Sequence, residues 1–75
     1  MKNIERITFN SQRMGGRPCI RDLRVTAGTV VGLVASGFST VEILKKYPYL
    51  EEEDIKAALE YAAWRSEEVE ISLAI

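Results

Sequence analysis

The stretch Gly37-Phe38-Ser39-Thr40-Val41-Glu42 decides the fold, because within six residues it reads as the end of one helix and the start of another. Gly37 stands where a helix needs a residue free to take the left-handed conformation that closes its last turn. Ser39 and Glu42, three residues apart, form a capping box in which each side chain accepts from the other's backbone amide. Upstream, Thr26 offers a capping hydroxyl, and Val30, Val31, Val34 and Phe38 follow at helical spacing, which predicts a first helix from about Ala27 to Ser36. Gly28, Gly32 and the β-branched residues make that helix weak on its own, so tertiary packing has to hold it. The two glycines either admit a second backbone closely or simply weaken the helix. Downstream, Val41, Ile43, Leu44 and Tyr47 supply an apolar face until Pro48 stops the second helix after about two turns.

A third helix begins at Glu51-Glu52-Glu53-Asp54, since carboxylates in a first turn meet the positive end of the helix dipole. Ile55, Ala58, Leu59 and Ala62 then repeat at i, i+3, i+4 and i+7, a core-facing stripe with Tyr61 and Trp64 beside it. Before the helices, Ile4 to Phe9 alternates in part and predicts a short strand. Asn10 to Pro18 is a loop whose Gly15-Gly16 pair permits positive φ, and either Cys19-Ile20 or Arg24-Val25 returns as the second strand of a ribbon. At the carboxyl end, Val69, Ile71, Leu73 and Ile75 alternate with Glu68, Glu70, Ser72 and Ala74. That tail reads as a strand or as a partner-binding peptide, because an unpaired apolar row with free backbone donors is normally covered. It pairs with the ribbon, with a second copy or with another protein. The organisation is thus one domain over residues 1–75, with ribbon and loop in 1–25, three helices in 26–65 and a tail in 66–75.

A chain of 75 residues has room for one modest core, and 47% hydrophobic with 28% charged residues is an ordinary globular composition. Cys19 alone cannot make an internal disulfide, so self-association is the expected supplement to stability. An unpaired cysteine suits a reducing compartment, and the opening Met1-Lys2-Asn3-Ile4-Glu5-Arg6 does not read as a signal peptide, which places the chain in the cytoplasm. The longest apolar run, around Ala27 to Ala35, falls far short of the roughly 20 residues that span a bilayer. With no histidine and one cysteine, zinc sites of Cys and His are excluded, as are Ser-His-Asp and Cys-His nucleophiles, which need an imidazole to take the proton. Gly15-Gly16-Arg17-Pro18 lacks the Lys-Ser/Thr ending of a phosphate loop. No cofactor, no metal and no enzymatic activity are expected; Glu51 to Asp54 look like a solvated helix start and not an acid–base pair.

The charges are sorted along the chain. Through Lys46, eight basic residues face three acidic ones, giving +5; from Tyr47 onward, two basic residues face eight acidic ones, giving −6. Such sorting fits an anionic partner for one part and a basic partner for the other, or a merely solvated surface.

Four motifs in order carry a resemblance that covers nearly the whole chain. They are Met14-Gly15-Gly16-Arg17-Pro18-Cys19-Ile20-Arg21, Arg24-Val25-Thr26, Gly37 to Glu42 continuing through Ile43-Leu44-Lys45-Lys46-Tyr47-Pro48, and Glu53-Asp54-Ile55-Lys56-Ala57-Ala58-Leu59-Glu60-Tyr61-Ala62. Together they resemble the domain of unknown function 433 family. The resemblance implies a mainly α fold, a three-helix helix-turn-helix of the homeodomain-like kind, preceded here by a short amino-terminal β-ribbon and followed by the tail. It also implies an antitoxin of a type II pair, acting on a ribonuclease toxin with a PIN-like fold and binding operator DNA as a dimer. Two departures stand out: the family's usual Ile-Arg-Gly-Thr-Arg is Ile20-Arg21-Asp22-Leu23-Arg24, and the polar cap before the third helix is Glu51.

PIN-like sites are acidic, so Arg17, Arg21 or Arg24 suits such a site, as does the apolar tail of Val69, Ile71 and Leu73 docking by strand addition. The alternative is that Arg21 and Arg24 only tie the loop. For DNA, the candidates are Arg13, Arg17, Arg21, Arg24, Lys45 and Lys46, because four consecutive acids make the start of the third helix a poor reading head. The remaining reading is a protein-interaction module that binds no DNA.

Overall fold

The computed structural model describes the backbone of residues 3–70 and the side chains of residues 3–67. Two short strands, β1 (Ile7–Thr8) and β2 (Cys19–Ile20), precede three helices, α1 (Ala27–Ala35), α2 (Thr40–Lys46) and α3 (Glu52–Glu70). The strands pair antiparallel, Ile7 opposite Ile20 and Thr8 opposite Cys19. The first strand is shorter than its alternation predicts, because Ile4–Arg6 winds into a 3-10 turn. Both candidates for the returning strand are used: β2 forms at Cys19-Ile20, and Val25-Thr26 lies along its other edge, with the Ile20 amide donating to the Val25 carbonyl at 2.9 Å and a bridge between Cys19 and Thr26.

The helix boundaries follow from their caps. Thr26 Oγ1 accepts from the Thr29 amide at 3.1 Å. At the other end of α1, Gly37 adopts φ +95°, its amide donates to Val34 and that of Phe38 to Leu33, which closes the helix as a Schellman motif. The capping box is complete: the Glu42 amide donates to Ser39 Oγ at 3.2 Å and the Ser39 amide to Glu42 Oε1 at 2.8 Å. These two bonds to the carboxylate, the backbone one first, hold the Glu42 carboxyl below its ordinary value.

One core is shared by all elements. Ile7 and Ile20 from the ribbon, Val25, Ala27 and Val30, Ile43 from α2, Leu50, and Ile55, Ala57 and Ala58 from α3 form it, with α1 packed against α3 and α2 touching both. The stripe on α3 is not the one its spacing predicts. Leu59 is exposed and Ala62 half-buried, whereas Asp54 and Ala57 are buried. The helix is turned about its axis because two arginines from the ribbon draw Asp54 inward. The third helix also outruns its expected end near Arg65 and continues to Glu70, so the tail through Val69 and Glu70 is helical and not a strand. Ile71 and Leu73 lie outside the described residues. No described helix is long and apolar enough to cross a membrane.

Candidate functional site

The turn between β2 and Val25 sets up the first notable cluster. The Leu23 amide donates to the Ile20 carbonyl at 2.8 Å, and both central residues are left-handed, Arg21 at φ +46° and Asp22 at φ +59°. This is the backbone of a type I′ turn, in which glycine is usual at the second position. Asp22 fills that position here, as a short polar side chain tolerates it. Its amide donates to Thr8 Oγ1 at 2.7 Å, and Arg13 Nε lies 3.3 Å from its carboxylate.

Arginine has no such tolerance, and what holds Arg21 in place is Asp54. Arg21 Nη2 and Nε donate to the Asp54 carboxylate at 2.8 and 3.0 Å, and Nη2 also reaches the Tyr49 carbonyl at 2.9 Å. Arg6 Nη1 donates to Asp54 Oδ1 at 2.8 Å and to exposed Glu51 at 2.7 Å, while the Glu51 amide donates to Asp54 Oδ2 at 2.8 Å. Asp54 is 0% exposed. Burial by itself pushes its carboxyl up, but the bonds from Arg21, the Glu51 backbone and Arg6 outweigh that and hold it below the ordinary carboxylate range. The guanidinium of Arg6, bonded to Glu51 and Asp54, and that of Arg21, bonded to Asp54, are both raised. The clasp ties the ribbon to the start of α3. Its chemistry is that of a satisfied ion cluster, with every acidic lone pair directed at a donor of the same fold, and it offers neither a free base nor an acid.

The six basic residues singled out in the sequence therefore divide. Arg21 belongs to the clasp and half-buried Arg13 to the Asp22 turn. Arg17, Arg24, Lys45 and Lys46 are exposed, and their side chains make no ion pair or hydrogen bond among the described residues. Lys45 and Lys46 sit in the last turn of α2, where the helix dipole favours cations. Arg17 edges a hollow of about 380 Å³ with Pro18, Thr26, Gly28 and Thr29.

That hollow shares Pro18 and Gly28 with a larger open groove of about 730 Å³, lined by Gly28, Val31 and Gly32 of α1 and by Tyr61, Ala62 and Arg65 of α3. Next to it runs a row of aromatic rings. Phe9 and Tyr61 have centroids 5.9 Å apart, and Tyr61 and Trp64 6.1 Å. Phe9 is 62% and Trp64 46% exposed, so the row is an apolar surface and not part of the core. Sequence reasoning noted the α1 glycines and Trp64 but not the groove they share; Arg6 and Asp54 as partners were missed altogether. Among the described residues no group of three or more Asp, Glu, Cys or His is placed to hold a metal ion.

The comparisons with known proteins agree on one family. The family described as "Protein of unknown function (DUF433)" matches residues 7–62. A crystal structure of a DUF433 member protein from Anabaena variabilis is similar to the chain at a TM-score of 0.76 and 30% identity, covering 93% of this chain and 69% of that one. No curated protein matches. The matched span takes in the ribbon, the turn at Asp22, the capping box and the clasp on α3: the chain belongs to the DUF433 family.

Proposed function

We infer that this chain acts by binding and not by catalysis, as the cytoplasmic antitoxin of a type II pair that neutralises a PIN-like ribonuclease. The observation that carries the reading is the division among its cations. Arg6, Arg13 and Arg21 are taken up by contacts within the fold, whereas Arg17, Arg24, Lys45 and Lys46 stand exposed and unpaired among the described residues. Unpaired guanidinium and ammonium groups suit an acidic nuclease site, where they pair with carboxylates that would otherwise hold a metal. The motif resemblance set out above supports the same partner.

Co-expression with the product of an adjacent gene for a PIN-like nuclease tests it. A stable complex and restored growth are expected, with Arg24→Glu and Lys45→Glu weakening both while the fold is kept. No complex, or equal toxicity with and without the chain, overturns the reading.

The second reading is a module that contacts protein alone. A homeodomain-like helix-turn-helix would send the start of α3 into the major groove. Glu51, Glu52 and Glu53 are exposed there, and phosphates repel them. A salt-dependent mobility shift with upstream DNA separates a repressor, dimeric on its operator, from a protein-only binder.

A further inference from the structure

Only half of α3 is used by the fold. Its nineteen residues make a rod of about 28 Å, whereas the nine of α1 span about 14 Å. From Ala63 to Glu67 every residue is exposed, Trp64 among them. A helical segment without apolar contacts is marginal in water, so this half gains from whatever covers it. Beside it lies the groove, floored by the two glycines of α1. A Cβ at Gly32 would meet nothing within 4 Å, and one at Gly28 only the Thr26 hydroxyl at 3.9 Å, so neither glycine is required by the chain's own packing.

We propose that the groove and the distal half of α3 are the interface between two copies of this chain, each laying its Trp64-bearing segment across the α1 glycines of the other. Charge selects this occupant. The groove adjoins the unpaired Arg17 and belongs, through α1, to the part of the chain that carries +5; the distal half of α3, with Glu67, belongs to the part that carries −6. A two-fold pair sets the acidic segment of each copy against the basic part of the other, and one patch holds both halves of the contact, as an isologous interface requires. Glycine lets two helices approach closely, and tryptophan is among the residues that most often anchor an interface core. The interface stands independently of any toxin partner.

Sedimentation of the full chain reads the outcome. The wild type sediments as a dimer, Gly32→Glu as a monomer with its helical circular dichroism intact, and Trp64→Ala loses about tenfold or more in dimer affinity. Gly32→Lys, which adds similar bulk with the opposite charge, disrupts the pair less than Gly32→Glu. A wild type still monomeric at about 100 µM, far above the micromolar affinity of an ordinary weak interface, overturns the proposal. So does a dimer that Gly32→Glu and Trp64→Ala leave intact. A monomeric wild type whose toxin complex is abolished by Gly32→Glu assigns the groove to the toxin and equally overturns it, while the antitoxin reading fails separately, by absence of any wild-type complex.

Discussion

The two halves of α3 are one continuous helix with opposite environments. Its first seven residues include Asp54, Ile55, Ala57 and Ala58, all buried, and are fastened to the ribbon by two arginines. Beyond Ala62 the described side chains are all exposed. Secondary structure alone therefore says little about what a helix does in this molecule: the proximal half is a structural member of the core, and the distal half is surface.

The contrast breaks most severely at Asp54. Asp54→Ala leaves Arg6 and Arg21 facing a void, and a broken buried ion cluster costs about 3 kcal/mol, toward the low end of the usual range because both arginines keep some contact with water. Chemical denaturation of the variant against the wild type measures it, and in so small a domain a loss of that size leaves much of the chain unfolded.

Acid tests the same clasp without a mutation. A carboxyl whose value is lowered in the fold contributes stability that is present above its ordinary range and disappears as pH falls through the lowered value. Stability of the wild type is expected to drop between about pH 4 and pH 2, and Asp54→Asn to flatten that dependence while lowering stability at neutral pH. Glu42 adds a smaller contribution of the same sign.

Exposed positions sharpen the comparison further down the scale. Lys56→Gly, in the proximal half, costs about 1 kcal/mol as glycine does inside a firmly held helix. Ala63→Gly costs less than about half of that at dilute concentration, because the distal half opens without the rest, and its amides exchange with solvent sooner than those of residues 55–61. Smallest of all, Trp64→Ala changes the stability of the isolated monomer by less than about 0.5 kcal/mol, since its ring packs on no core residue. A large loss there would show that the distal half is anchored in ways the exposed surface does not suggest.

What the sequence made legible were features settled within a few residues. The Thr26 cap, the Gly37 closure, the Ser39–Glu42 box and the stop at Pro48 each depend on neighbours, and each boundary lies where those neighbours require. The α3 stripe was misread because its deciding partners are Arg6 and Arg21, which lie 48 and 33 residues away, and periodicity weighs a carboxylate as outward-facing. Likewise, the tail's alternation of apolar and polar residues could not reveal that α3 simply continues through Val69. At the candidate site, charge type was readable but pairing was not. Arg21 and Arg24 look alike in the sequence, yet one is locked against Asp54 and the other is unpaired among the described residues.

The clasp also imposes an order on biosynthesis. Arg6 leaves the ribosome early, whereas Asp54 follows 48 residues later, so the ribbon has no anchor until most of the polypeptide has been translated. Local caps let α1 and α2 form as they emerge, but the closing step waits for the start of α3. Contacts of such long separation slow folding, and a nascent chain halted before that carboxylate would present its amino-terminal hairpin to chaperones and proteases instead of to its own last helix.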